Sequence, residues 1–197
     1  MSTGQWIPTP DGDAWYFDAG AESLDFASTG PVGGAPDLGE RLHAPADLGT
    51  WLAERVPSLR ADDVTERDLA DALILRGALA RLYAAAADGG AFAADDVDTL
   101  NLFAATPDIP PALPGGRRQA GTGRIRPAQA LSAIARDAIA ALGEPEGRIR
   151  RCAADDCRIV YRDESRTNSR RWCSMQRCGN RAKVRAHRAR ARQAATA

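Results

Sequence analysis

No stretch of the 197-residue sequence approaches the ~20 apolar residues that a membrane span needs. The start, MSTGQWIPTPDGD, has neither a basic opening nor an apolar run, so no secretory signal is expected. A soluble, cytoplasmic protein is the expectation. Histidine is scarce: His43 sits in a loop-like stretch and His187 lies in the tail. There is no Ser-His-Asp constellation, no Gly-rich phosphate loop and no His-Glu-x-x-His helix motif. With none of these to carry chemistry, the protein is read as a non-enzyme. Lysine occurs once, as Lys183, so arginine carries nearly all the positive charge. Cysteine is limited to four, and none lies before residue 152.

What is present is unevenly distributed. Lys+Arg and Asp+Glu number 26 each. Residues 1–146 hold 11 basic and 22 acidic side chains, a net of −11, whereas residues 147–197 hold 15 and 4, a net of +11. A segment with that excess has a task of its own, and contact with nucleic acid is the usual one. The chain therefore reads as two parts, 1–146 and 147–197.

The first part is 1–45 in loops and short elements, followed by helices. Trp15-Tyr16-Phe17 suits a short strand and Leu24-Asp25-Phe26 the start of a helix. Leu48, Trp51, Leu52 and Val56 keep helical spacing up to Pro57. Thr65 with Asp68 three residues on predicts a capped helix that runs to Gly89-Gly90. Arg76 interrupts its apolar stripe and is expected to reach solvent or a carboxylate. Asp95 or Asp96 is the expected cap of a third helix, with Val97, Leu100 and Phe103. Residues 106–116 are a loop, and 118–126 suit a small polar hairpin. A fourth helix from Pro127 carries Leu131, Ile134, Ile139 and Leu142 and closes at Gly143.

The cysteines are ordered Cys152-x4-Cys157, fifteen intervening residues, then Cys173-x4-Cys178. Two close pairs across a short span is the layout of a four-thiolate zinc site. Two disulfides and four inert thiols are the competing readings. Disulfides suit secreted chains, and inert thiols leave their clustering in an arginine-rich tail unexplained. Between the pairs, Arg158-Ile159-Val160-Tyr161-Arg162 suits a strand and Arg170-Arg171-Trp172 its returning partner. Ser174 is a candidate N-cap, with helix from Met175 on. Knuckle, hairpin and helix make a treble-clef arrangement. The expected class is mainly α: a multihelical N-terminal domain and a small C-terminal treble-clef-like zinc finger. With four cysteines filling the coordination sphere, one structural Zn2+ is expected.

The run Cys173-Ser174-Met175-Gln176-Arg177-Cys178-Gly179-Asn180-Arg181, with Arg170-Arg171-Trp172 before it and Cys152-Ala-Ala-Asp-Asp-Cys157 upstream, resembles the CGNR zinc-finger family. Leu24-Asp25-Phe26-Ala27-Ser28-Thr29 is similar to a Leu-Asp-Phe-Val-Asn-Thr type segment of the ABATE domain, with Ser28 in place of Asn. The resemblance implies a bacterial, stress-responsive transcription regulator.

Read as a helix from Met175, the tail sets Arg177, Arg181, Arg185, Arg188 and Arg192 on one face at spacings of 4, 4, 3 and 4. Such a stripe suits a phosphate backbone. Lys183 and Arg190 are expected to flank it, Arg170 and Arg171 to add backbone contacts, and Val184 and Trp172 to pack on the zinc core. Gly179 is expected to let the helix start pass the knuckle. Asn180 is expected to bond backbone or thiolate, and Arg181 to meet phosphate or brace against Asp155 or Asp156. The leading reading is a zinc-dependent DNA-binding regulator whose N-terminal domain senses a small molecule or protein, or assembles into a homodimer. The second is a protein-interaction module whose basic finger docks on an acidic partner or on residues 1–146. The third is an RNA binder, for which Tyr161 alone is thin stacking material.

Overall fold

In the computed structural model, residues 3–8, 12–31, 39–111, 113, 123–144 and 147–196 are described. Alternating exposed and buried side chains make β2, Ala14–Phe17, a half-buried strand. It pairs antiparallel with β1, Gln5–Pro8, in the register Trp6 opposite Tyr16 and Ile7 opposite Trp15. A turn at Gly20, with φ +81°, leads into α1, Glu22–Ala27, which is buried throughout. The helical apolar spacing of the next segments then builds α2 (Pro45–Ala53), α3 (Glu66–Asp88), α4 (Ala94–Ala105) and α5 (Pro127–Leu142).

The Thr65–Asp68 capping box forms as expected: Asp68 N donates to Thr65 Oγ1 at 3.2 Å and Thr65 N to Asp68 Oδ2 at 2.9 Å. Gly89 ends α3 in the left-handed conformation. Arg76 finds a carboxylate, donating to both oxygens of Glu40 and to the Thr29 carbonyl. Two expectations fail, and a third goes untested. The N-cap of α4 is Ala93, without a side-chain bond; Asp95 and Asp96 instead lie in the first turn, where the helix dipole favours them, and Asp96 receives Arg81. Ile139 is 42% exposed, rotated off the core face that Leu131 and Ile134 occupy. The polar hairpin at 118–126 lies mostly outside the described residues, and 123–126 form no strand.

The C-terminal region contributes β3 (Ile149–Arg151), β4 (Val160–Arg162) and α6 (Asn180–Thr196). Its hairpin pairs Ile149 with Arg162 and Arg151 with Val160, so the returning strand is not 170–172. Asp163 accounts for the difference. Its buried carboxylate accepts Ser165 N and Arg170 N, which folds 163–170 into a tight loop. Residues 170–171 then meet the hairpin by isolated backbone contacts and not a ladder, Tyr161 Oη to Arg170 O and Ala153 N to Arg171 O.

The two regions share one hydrophobic core. Ile149, Ile159 and Tyr161 of the C-terminal region are buried in the same cluster as Leu24, Leu75 and Leu82. Arg162 N donates to Ala19 O at 2.7 Å. A Cβ on Gly20 would meet Arg162 O at 2.6 Å, so glycine is needed there for close approach as well as for φ. Ion pairs Arg151–Asp88 and Arg162–Glu144 cross the same boundary. None of the described helices is long and apolar enough to cross a membrane.

Candidate metal centre and the helix it carries

The first cysteine pair occupies the loop joining β3 to β4, so the hairpin holds Cys152 and Cys157 on a short tether. Cys173 follows the Asp163 loop, and Cys178 lies at the start of the terminal helix. All four Sγ atoms lie within 4.8 Å of one another and all four residues are buried. Two neighbouring pairs are 3.7 Å (Cys157–Cys173) and 3.6 Å (Cys173–Cys178) apart. A tetrahedron with Zn–S bonds of about 2.3 Å has edges of about 3.8 Å, so the set fits one zinc ion. The cysteines are free, which rules out the disulfide alternative.

The surroundings suit thiolates. Cys173 N lies 3.4 Å from Cys152 Sγ, and Arg181 Nη2 lies 3.3 Å from Cys178 Sγ. Without a cation the sulfurs conflict: Cys152, with burial, pushes the Cys157 thiol up, and Cys152 and Cys157, with burial, push the Cys173 thiol up. A divalent ion relieves that conflict, and its binding releases protons. With four sulfur ligands no position is left open for water or substrate, so zinc here is structural.

Ser174 caps the terminal helix, its Oγ accepting Arg177 N. The sequence pattern predicts a regular α-helix from Met175, but the first turn, Met175–Gly179, is π-helical: Gly179 N reaches back to Ser174 O. The wider turn swings Cys178 toward the other sulfurs and offsets Arg177 from the stripe beyond it. A Cβ on Gly179 would meet Met175 Sδ at 2.8 Å and Trp172 at 3.3 Å, so the close approach at this glycine is to those two side chains, of which the exposed Met175 can move aside. Asn180 is exposed and shows no side-chain hydrogen bond among the described residues; the thiolate contact expected of it is made by Arg181.

The basic residues divide into two groups. Arg170 is turned inward, donating to Trp172 O and Asp18 O at 3.0 Å and stacking 4.4 Å over Tyr161. Arg177 lies 4.9 Å over the Trp15 ring. Arg181 and Arg185 both reach Asp156, at 3.2 and 3.3 Å. These four hold the finger together or hold it on the N-terminal region. Lys183, Arg188, Arg190 and Arg192 are exposed, as is Arg171, whose guanidinium lies 5.1 Å over Trp172. At about 100° per residue, Lys183 and Arg190 lie on the side of α6 opposite the Arg181–Arg185–Arg188–Arg192 stripe, so they do not flank it. Trp172 packs on the core, but Val184 is 49% exposed. Two contributors have little sequence signal. Asp163 is marked only by the Asp-x-Ser spacing of a side-chain turn, and Trp15 only by being aromatic.

Comparison with known families agrees with this geometry. The CGNR zinc finger model matches residues 148–191. The ABATE model, described as "Putative stress-induced transcription regulator", matches residues 20–145. No curated protein matches the chain.

Proposed function

From the premise that this chain belongs to the ABATE family and carries a CGNR zinc finger, we propose that it is a DNA-binding transcription regulator whose terminal helix contacts duplex. One observation carries the reading. Every described residue from Lys183 to Ala194 is exposed, and α6 holds six cations and no acid. A helix polar on all sides buries nothing of its own, and the repulsion along it is relieved by a polyanion. Alanines at 182, 186, 189 and 191 keep it helical without packing. Zinc fixes its base through Cys178, and Asp156 and Trp15 fix its direction through Arg181, Arg185 and Arg177. The contacting set is then Arg188 and Arg192 on the stripe, with Lys183, Arg190 and Arg171 from neighbouring surfaces. The N-terminal region acts as sensor or assembly unit. A metal centre with no open position supports reading the protein as a binder.

The protein-docking alternative is favoured by a different observation: the finger body already meets acidic residues of the N-terminal region, in Arg151–Asp88 and Arg162–Glu144. Those ion pairs use the hairpin and leave α6 uncovered. The test is anisotropy of a labelled mixed-sequence duplex across a salt series, with full-length protein, with chelator, and with a chain ending at Ala182. The full chain is used because the finger's core is shared with α1 and α3. Zinc-dependent binding with log affinity falling by about 0.9 per neutralised phosphate, and abolished by truncation, is the expected result. No duplex binding by zinc-loaded protein at low salt sinks the reading, and binding to single-stranded RNA alone replaces it with the RNA one.

A further inference from the structure

A cavity of about 630 Å³ opens between β1, β2 and α2, away from the zinc centre. That volume is in the range of small-molecule sites. Its lining includes two guanidiniums, Arg41 and Arg55. The Arg55 side chain is 6% exposed, and its Nε–H is buried without a partner. Its other donors meet Trp51 O at 3.1 Å, Gly4 O at 3.2 Å and, at the rim, Glu54 Oε2 at 3.4 Å. The Arg41 guanidinium donates to neutral oxygens, Gln5 Oε1 at 2.5 Å and Trp6 O at 3.4 Å. The other carboxylate of the lining, Asp47, is committed to capping α2 through His43 N and Ala44 N.

A guanidinium has five N–H donors and is normally matched by an anion when withdrawn from water. Here two are withdrawn into one cavity, and among the described residues no carboxylate accepts from the Arg41 guanidinium. Three aromatic residues, Trp6, Tyr16 and Trp51, also line the cavity. Trp6, 66% exposed, and Tyr16, 41% exposed, sit edge to face at 5.6 Å. Trp51 lies beneath Arg55, with the guanidinium 3.8 Å from the ring centroid.

We propose that this cavity binds a small aromatic carboxylate, its anionic end between Arg41 and Arg55 and its ring against Trp6 and Tyr16. A carboxylate between two guanidiniums takes charge-assisted bonds that water and amide oxygens match poorly. A ring on the Trp6–Tyr16 pair covers apolar surface that is otherwise wet. The cavity shares no residue with α6, so ligand binding and duplex binding are read separately, and either can fail alone.

The test is calorimetric titration of full-length, zinc-loaded protein with benzoate, the simplest ring bearing one carboxylate. Benzyl alcohol and inorganic phosphate are the controls. Benzoate is expected to saturate one site with Kd below about 1 mM, and both controls to bind at least about tenfold more weakly. The Trp51 indole N–H resonance, which reports the Gln5 hydrogen bond at 3.2 Å, is expected to shift with benzoate. Trp6→Ala alters an exposed side chain and is expected to weaken benzoate about fivefold or more with unchanged melting. Arg41→Gln is expected to weaken it about tenfold or more. Absence of saturable benzoate binding, or benzyl alcohol binding as tightly as benzoate, overturns the proposal. Phosphate equal to benzoate, with Trp6→Ala silent, overturns its aromatic part. If Arg41→Gln fails to fold, the Trp6→Ala variant and the Trp51 resonance decide.

Discussion

Arg181 places Nη2 3.3 Å from Cys178 Sγ and, through Nη1, stands 3.2 Å from Asp156. The last residue of the Cys-Gly-Asn-Arg run thus supports the metal site. Its cation offsets thiolate charge, and Asp156 fixes its orientation. Groups that hold a metal's ligands typically carry about 10–100-fold in metal affinity. Arg181→Ala is therefore expected to lower zinc affinity by about that factor, measured by competition against a chromogenic chelator. A role confined to DNA phosphate predicts unchanged zinc affinity and reduced duplex binding.

The exposed half of the stripe should behave differently. Arg188→Gln with Arg192→Gln removes two charges from a part of α6 whose residues are all exposed. Zinc affinity and melting temperature are expected to stay unchanged. The slope of log affinity for duplex against log salt is expected to fall by about 0.9 for each phosphate that the variant no longer neutralises. An unchanged slope would place the DNA-facing surface elsewhere.

This division between supporting and exposed arginines shows where sequence reading stops. Periodicity and caps reveal the helices, and the cysteine spacing reveals the metal centre, because both rest on interactions within a few residues. The Thr65–Asp68 box and the Ser174 cap are of that kind. Arg177 on Trp15, 162 residues back in the chain, has no local signature. Nor has the pairing of β4 with β3 in preference to 170–172. That choice is set by how Asp163 accepts Ser165 and Arg170 in a buried site. Burial opposes ionisation of Asp163, yet those hydrogen bonds, with Arg150 nearby, hold its carboxyl below the usual range. Asp156 braces Arg181, one of the two partners the sequence offered, but an even charge stripe could not show that it also engages Arg185.

Gly20 is a close approach of the N-terminal region to β4. Gly20→Ala would put a methyl 2.6 Å from the Arg162 carbonyl at a φ of +81°. Strain of this type costs about 1–3 kcal/mol, and the carbonyl is backbone that yields little. A lower melting temperature with zinc still bound is expected, read by calorimetry on the zinc-saturated protein. Unchanged melting would mean that the two regions do not depend on this approach.

Glu22 and Asp25 make stability depend on pH in an unusual direction. Burial, then the nearby Asp137, raises Glu22 to about 7, with Arg55 opposing and Asp25 adding. Burial raises Asp25 to about 6 against hydrogen bonds from Gly4 and Ala19. Each carboxyl binds its proton more tightly in the folded protein than in the unfolded chain. Their contribution is therefore fully present below the unfolded values and is lost as pH rises through the folded ones. For Glu22 the window runs from 4.5 to about 7. Its shift corresponds to on the order of 3 kcal/mol at about 1.4 kcal/mol per unit. Glu40 works the other way: its bond with Arg76 lowers it to about 2, so its contribution is constant across that window and is lost only at more acid pH. With zinc kept saturating, melting temperature is expected to fall from about pH 5 to about pH 7.5. Glu22→Gln, which cannot ionise, is expected to flatten the fall, and the difference between the two proteins isolates Glu22 from the cysteine ligands. Parallel curves for wild type and variant would show that Glu22 ionises in the folded protein as it does in water.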